Sequence, residues 1–320
     1  MVPAARIDPE LRAALAVVGG VFPPTITPDL IPFMRRSYAS PPREVLFADP
    51  ALTVRDLEVP MPDGAVLGAS LVSPAAVGAA APLPTVVVLH SGGMMFGDRF
   101  SGLDTVLDWV VPLRVRVFTV DYRLAPEHPH PTPLKDCAAA LDFVVDHAGS
   151  LGVRRDRVLL AGASAGAGLA AGVALAARDA GKPSPRGLLL DYPMLDDRGL
   201  WPSIREFDGV GVWDRVSNET GWAALLGPEA DGRDVSEYAA PARAEDLSGL
   251  PPMYLDVGTA EIFRDETVAF AQHAWADGVD AELHVWPGAF HACDIFARHA
   301  EVSRRMISTR TDWVRRILLD

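Results

Sequence analysis

Arg157-Val-Leu-Leu-Ala161, then Gly162-Ala-Ser164-Ala-Gly166, then the alanine-rich run Gly166 to Ala180 form the stretch on which the fold reading turns. The first piece is a short apolar run of the kind a strand buried on both faces shows. The last piece is a helix, stopped by Gly181 and Pro183. Between them a serine sits in a turn flanked by glycines, at the mouth of a helix. That helix end points backbone N–H groups and partial positive charge toward developing negative charge. A glycine-rich turn with an incidental serine would give the same letters. The uncharged run Leu159 to Ala177 also raises the question of a membrane span. Its glycine and serine punctuation argues instead for a strand leading into a buried helix.

Outward from this unit, short apolar runs alternate with helical ones. Thr85 to Leu89, Arg116 to Val120, Leu188 to Leu190, Met253 to Val257 and Ala281 to Val285 read as strands. Pro133 to Leu151, Thr267 to Ala276 and Glu301 to Leu319 read as helices. Such alternation predicts an α/β fold, a mostly parallel sheet with helices on both faces. Upstream, Val54 to Val59 and Val66 to Val72 form two strands joined by Pro62-Asp-Gly64. Residues 1–50 hold short helices at Pro9 to Val18 and within Pro28 to Ser40. Trp201 to Pro241 breaks the alternation with a Trp-, Gly- and Asp-rich stretch and one helix, Ser217 to Leu226. The expected organisation is a core over 51–320, with 1–50 and 201–235 forming a cover.

Composition narrows the function. The 320 residues are 49% apolar and 22% charged, with a formal net charge of −13. Nucleic acid and anionic membrane surfaces are poor partners for so acidic a chain. Two cysteines, Cys137 and Cys293, supply neither a disulfide framework nor a C-x-x-C metal site. That cysteine usage leads to the expectation of a reducing, cytoplasmic setting, and no signal peptide is read at the N-terminus. The two lysines, Lys135 and Lys182, complete neither a P-loop nor an S-x-x-K motif.

Three further stretches supply chemistry for Ser164. His90-Ser-Gly-Gly93 follows the Thr85 strand, and its glycines leave backbone N–H groups free to receive an oxyanion. His90 itself reads as a brace for that loop. Phe290-His291-Ala292 follows the Ala281 strand and offers a base. Glu261 follows the Met253 strand and is the first choice for the acid that orients His291, with Asp265 second and Asp256 third. Asp265 and Glu266 also suit a helix N-terminal dipole. The order serine, acid, histidine is that of α/β-hydrolases.

These segments resemble the bacterial hormone-sensitive-lipase-like (family IV) esterases of the α/β-hydrolase superfamily. His90-Ser-Gly-Gly93…Gly97 is similar to the family's H-G-G-G-x-x-x-G, and Asp121-Tyr-Arg-Leu-Ala-Pro-Glu-His128 to its Y-R-L-A-P-E segment. Gly162-Ala-Ser-Ala-Gly166 is similar to G-D-S-A-G, Gly258…Asp265-Glu266 to G-x-x-D-x-x-x-D-E, and Gly288-Ala-Phe-His291 to G-x-x-H-G-F. Pro193 to Arg198 and Tyr238 to Pro252 resemble the acetyl-esterase branch that includes bacterial heroin esterase. The resemblance implies an α/β-hydrolase fold with a helical cap and a serine carboxylesterase acting on small, short-acyl esters. It implies a Ser164-His291-Glu261 triad and an oxyanion hole at Gly92, Gly93 and Ala165. No cofactor and no metal are implied. Dimers are common in the family, which makes a homodimer an expected partner state. Met94, Met95 and Phe96, beside the oxyanion loop, are expected to wall the substrate pocket.

This chain departs from the family at several positions. Ser91 replaces the first loop glycine, Ala163 the aspartate before the nucleophile, Glu261 the catalytic aspartate, and Ala292-Cys293 the final Gly-Phe. Cys293 reads as a small buried filler. Other readings remain open. A lactone hydrolase would need the same triad. A small-molecule receptor on the same fold would have lost a triad member. Gly166-Ala-Gly168-Leu-Ala-Ala171, with Asp191 beyond it, also fits a nucleotide-binding oxidoreductase.

Overall fold

A computed structural model describes residues 7–320 apart from 21, 24, 39 and 228–233. Among the described residues eight strands form: β1 (Leu52–Pro60), β2 (Val66–Pro74), β3 (Leu83–Leu89), β4 (Arg116–Val120), β5 (Val153–Ala163), β6 (Gly187–Asp191), β7 (Met253–Gly258) and β8 (Ala281–Trp286). They form one sheet in the order β1-β2-β4-β3-β5-β6-β7-β8. β2 runs antiparallel to both its neighbours, and β3 to β8 are mutually parallel.

Alternation along each strand builds two cores, one on each face. Val87, Leu89, Phe118, Leu160, Leu188, Leu190 and Leu255 point into one. Val86, Val88, Val117, Leu159, Leu189 and Tyr254 point into the other. This is why the strand runs are apolar throughout rather than alternating with polar residues.

Helices α1 (Pro9–Val18), α2 (Ile31–Ser37) and α3 (Arg43–Leu46) precede the sheet. Within it come α4 (Asp104–Leu107), α5 (Thr132–Asp146), α6 (Ala148–Leu151), α7 (Ala165–Asp179), α8 (Pro202–Glu206) and α9 (Arg215–Leu226). The chain ends with α10 (Arg264–Ala276), α11 (Cys293–Phe296) and α12 (Glu301–Leu319). Helix α7 is buried from Ala165 to Leu175, which explains its alanine and glycine content. A Cβ at Gly168 would lie 2.1 Å from the Met194 carbonyl, and one at Gly172 would lie 2.2 Å from that of Tyr238. These two glycines therefore serve close packing of helix against loop. The run Leu159 to Ala177 is divided between β5 and α7, and among the described residues no helix is long and apolar enough to cross a membrane.

Two boundaries differ from the sequence reading. The helix expected over Pro133 to Leu151 breaks at His147, which leaves helical geometry (φ −96°, ψ 15°) and turns its Nδ1 to the Phe143 carbonyl at 3.0 Å. Strand β5 begins at Val153 rather than Arg157, because Leu83 pairs with Val153 before a register shift brings Thr85 opposite Val158.

The N-terminal segment and the stretch after β6 meet over the carboxyl ends of the strands. Ile26 N–H donates to Ser217 Oγ (2.8 Å), and Thr25 Oγ1 donates to Asp214 (2.5 Å). Arg35 of α2 reaches down to the core: Nε donates to the Met95 carbonyl (2.8 Å) and Nη2 to the Ala125 carbonyl (3.0 Å). The parts of the expected cover at 1–6 and 228–233 lie outside the described residues.

Candidate active site

Ser164 stands between β5 and α7 with φ 56° and ψ −119°. A non-glycine residue in such a conformation carries strain of about 1–3 kcal/mol. The neighbours hold it there. Ser164 N–H donates to the Asp191 carbonyl (2.9 Å), and the Ser164 carbonyl accepts from Met194 N–H (3.1 Å). The flanking glycines are steric requirements. A Cβ at Gly162 would sit 2.3 Å from Gly166 backbone, and one at Gly166 would sit 2.1 Å from the Leu89 carbonyl.

His291 arrives from the loop after β8, and its Nε2 lies 3.0 Å from Ser164 Oγ. Its Nδ1 lies 2.6 Å from Glu261 Oε2, in the loop after β7. Backbone bonds lace these two loops together: Thr259 N–H to the Trp286 carbonyl (2.9 Å) and Ala260 N–H to the Ala289 carbonyl (3.0 Å). The second oxygen of Glu261 accepts Gly258 N–H at 2.9 Å. The longer glutamate is thus anchored at both oxygens. Tyr192 and Phe263 set their rings edge-on to the imidazole at 4.9 and 5.2 Å between centroids. Ser164, Glu261 and His291 are 3%, 2% and 5% exposed, so the chain of bonds is largely buried, with Ser164 and His291 reached only through the cavity.

The other acids face elsewhere. Asp265 accepts Ser203 N–H (2.8 Å) and the Arg264 guanidinium (2.7 Å). Glu266 accepts the backbone N–H of Leu195 (2.8 Å), bracing the loop after β6, and burial pushes its carboxyl well above the usual range. Asp256 binds Arg310 through both oxygens, at 2.8 and 2.9 Å. Arg310 also bonds Asp294, three residues past His291, and its Nε lies 3.0 Å from Asp191 while donating to Asp256. Burial, helped by Asp256 and Asp294 and opposed by Arg310, holds the Asp191 carboxyl well above its ordinary range.

Gly92 and Gly93 lie on the cavity that also exposes Ser164 and His291. Their φ values are 123° and 58°. The Gly92 carbonyl accepts from Met95 and Phe96 N–H (3.0 and 3.1 Å), curling the loop. Among the described residues the Gly92 and Gly93 N–H groups have no acceptor. Ala165 opens α7, so its N–H has no preceding turn to bond. His90 is held off the cavity, stacked on Tyr122 at 4.0 Å with Nδ1 on the Ser91 carbonyl (2.8 Å). Burial lowers its pKa below the ordinary imidazole value.

The expected pocket wall needs correction. Phe96 lines the cavity, but Met94 and Met95 do not. The loop's curl turns both into the core at 1% and 0% exposure. The cavity, about 450 Å³ and open to solvent, is walled instead by residues from the two covering segments, among them Phe22, Tyr38 and Trp213, with Phe296 from α11. The sequence gives no periodic signal for Phe22, Tyr38 or Trp213, because each comes from irregular chain. Cys293 is buried and touches Met306 sulfur at 3.6 Å.

Residues 86–295 match the family model for the alpha/beta hydrolase fold. The chain belongs to the hormone-sensitive-lipase-like esterases of this superfamily. It is 35% identical to esterase LipI of Mycobacterium tuberculosis over 236 residues, 73% of each chain. It is 37% identical to carboxylesterase NlhH of the same organism over 226 residues, 67% of this chain and 68% of that one. Its structure is similar to bacterial heroin esterase, with a TM-score of 0.89, 35% identity and 99% of each chain covered. As a member of this esterase family the protein is a carboxylesterase of the serine-hydrolase type.

Proposed function

We infer that the esterase hydrolyses small, uncharged, short-acyl esters through an acyl-enzyme formed on Ser164. His291 Nε2 takes the hydroxyl proton as Oγ attacks the ester carbonyl, then gives it to the departing alkoxide. Water then attacks the acyl carbonyl as His291 takes its proton, the acyl–oxygen bond to Ser164 breaks to release the acid, and His291 returns the proton to Ser164 Oγ. Glu261 fixes the imidazole tautomer and supports the imidazolium. Gly92, Gly93 and Ala165 N–H groups receive the oxyanion, each such donor being worth about 3 kcal/mol. Residues 1–50 and 201–235 act as the cap over a core at 51–320.

The observation carrying this reading is the unbroken line from Ser164 Oγ to His291 (3.0 Å) to Glu261 (2.6 Å). Short-acyl preference is supported by the Trp213 indole, which closes over Gly93 so tightly that a Cβ there would meet it at 2.1 Å.

The test is a series of p-nitrophenyl esters from acetate to octanoate, on wild type and Ser164→Ala. Rates should fall with chain length and vanish in the variant. Activity retained in Ser164→Ala overturns the nucleophile, a flat series overturns the short-acyl preference, and no hydrolysis by wild type favours a receptor. Faster turnover of lactones than of open esters would make the same triad a lactone hydrolase.

A further inference from the structure

Tyr38, just past α2, places its hydroxyl 2.8 Å from Ser91 Oγ, the residue before Gly92. Either oxygen can donate, and two hydroxyls bring two hydrogens to one bond. Among the described residues neither oxygen has another hydrogen-bond partner, so one O–H hydrogen stays uncommitted. Both residues line the cavity that holds Ser164.

The surroundings make that hydrogen conspicuous. Phe22 and Phe96 pack edge-on against the Tyr38 ring at 6.0 and 5.3 Å between centroids, fixing the phenol. Among the described residues, the lining apart from Ser91, Tyr38, the oxyanion glycines, Ser164 and His291 is apolar and aromatic, with no carboxylate and no lysine or arginine. A donor in such a wall costs free energy unless water or a ligand meets it. A glycine at position 91, as in the H-G-G-G pattern, would leave Tyr38 without this partner.

We propose that the Tyr38–Ser91 pair is a specificity element that selects esters carrying an uncharged oxygen acceptor, an ether or carbonyl oxygen, close to the reacting ester group. Closeness follows from the chain: Ser91 is one residue from a glycine whose N–H faces the oxyanion. The inference rests on Ser164 as nucleophile.

Paired substrates of equal heavy-atom count test it. p-Nitrophenyl methoxyacetate against p-nitrophenyl butyrate places the oxygen in the acyl arm. 2-Methoxyethyl acetate against butyl acetate places it in the alcohol arm. Each kcat/KM ratio is divided by the same ratio for hydroxide hydrolysis, which removes intrinsic reactivity. Wild type should favour the ether about fivefold in one arm, the effect of one neutral hydrogen bond. Tyr38→Phe and Ser91→Gly each leave one hydroxyl and should retain part of the preference. The double variant should bring the ratio to about one, through KM for the ether substrate. A corrected ratio of one in both arms of wild type overturns the proposal, as does a preference that survives in the double variant. Failure of the nucleophile reading would look different: activity would persist in Ser164→Ala.

Discussion

Glu261 spends one carboxylate oxygen on His291 Nδ1 at 2.6 Å and the other on Gly258 N–H at 2.9 Å. The residue that orients the imidazole is therefore itself held by the end of β7, and its extra methylene is absorbed without losing contact. Asp265, four residues on, is committed to Ser203 and Arg264.

That division of labour gives the first expectation. Glu261→Gln should lower kcat for p-nitrophenyl acetate by up to about 10⁴-fold, by favouring the wrong tautomer of His291. Asp265→Asn should change it only a few-fold. Steady-state kinetics on both variants decides, and the reverse ranking would move the acid role to Asp265.

Gly93→Ala should impair turnover more than binding. Its Cβ would fall 2.1 Å from the Trp213 indole at a φ of 58°, so the loop must move and its N–H must leave its aim. Loss of one oxyanion donor corresponds to a roughly 10²–10³-fold drop in kcat. Retained circular dichroism with kcat within threefold of wild type would deny Gly93 that role.

Arg310 is 3% exposed and is the cation among Asp191, Asp256 and Asp294. Removing it leaves buried carboxylates unpaired, which costs roughly 3–5 kcal/mol. Arg310→Met should show this as a lower urea midpoint. Arg310→Lys should fall between, because an ammonium lacks the fork that grips Asp256 and Asp294 together. A midpoint for Arg310→Met equal to wild type would contradict the account.

The Arg35–Glu127 pair gives a pH dependence. Hydrogen bonding to Arg35 lowers the Glu127 pKa from 4.5 to about 2. A depressed carboxylate stabilises the fold above its unfolded pKa, and that contribution is lost as pH falls through about 2. The pair is partly exposed, so the effect is small and screened by salt. The melting-temperature advantage of wild type over Glu127→Gln should be present at pH 6 and shrink toward pH 2. A constant difference across that range would show that the carboxylate charge plays no part.

Several features were open to reading from the chain alone. Strand β3, the Val117 to Val120 part of β4 and the Val158 to Ala161 part of β5 read as uncharged, mostly apolar runs because the sheet buries both of their faces there. Gly162-Ala-Ser-Ala-Gly166 marked the turn because only glycine fits where backbone approaches this closely. Ser164, Glu261 and His291 read as candidates for chemistry from their place just past strands, and the structure brings them within hydrogen-bond distance. Local rules govern these features: strand periodicity, steric exclusion in a turn, and loop position at a strand's carboxyl end.

The cavity wall obeyed no local rule. Met94 and Met95 stood next to the oxyanion glycines in sequence, yet the loop's curl buried them and left Phe96 facing the site. Tyr38 and Trp213 reached it from segments far along the chain, and Arg310 joined Asp191, Asp256 and Asp294 from the last helix. Sequence alone determined the layered α/β architecture and singled out Ser164, Glu261 and His291 as candidates, since both follow from patterns a few residues long. Which side chains surround the nucleophile was decided only by tertiary structure, because packing of distant segments depends on shape and volume that no short pattern encodes.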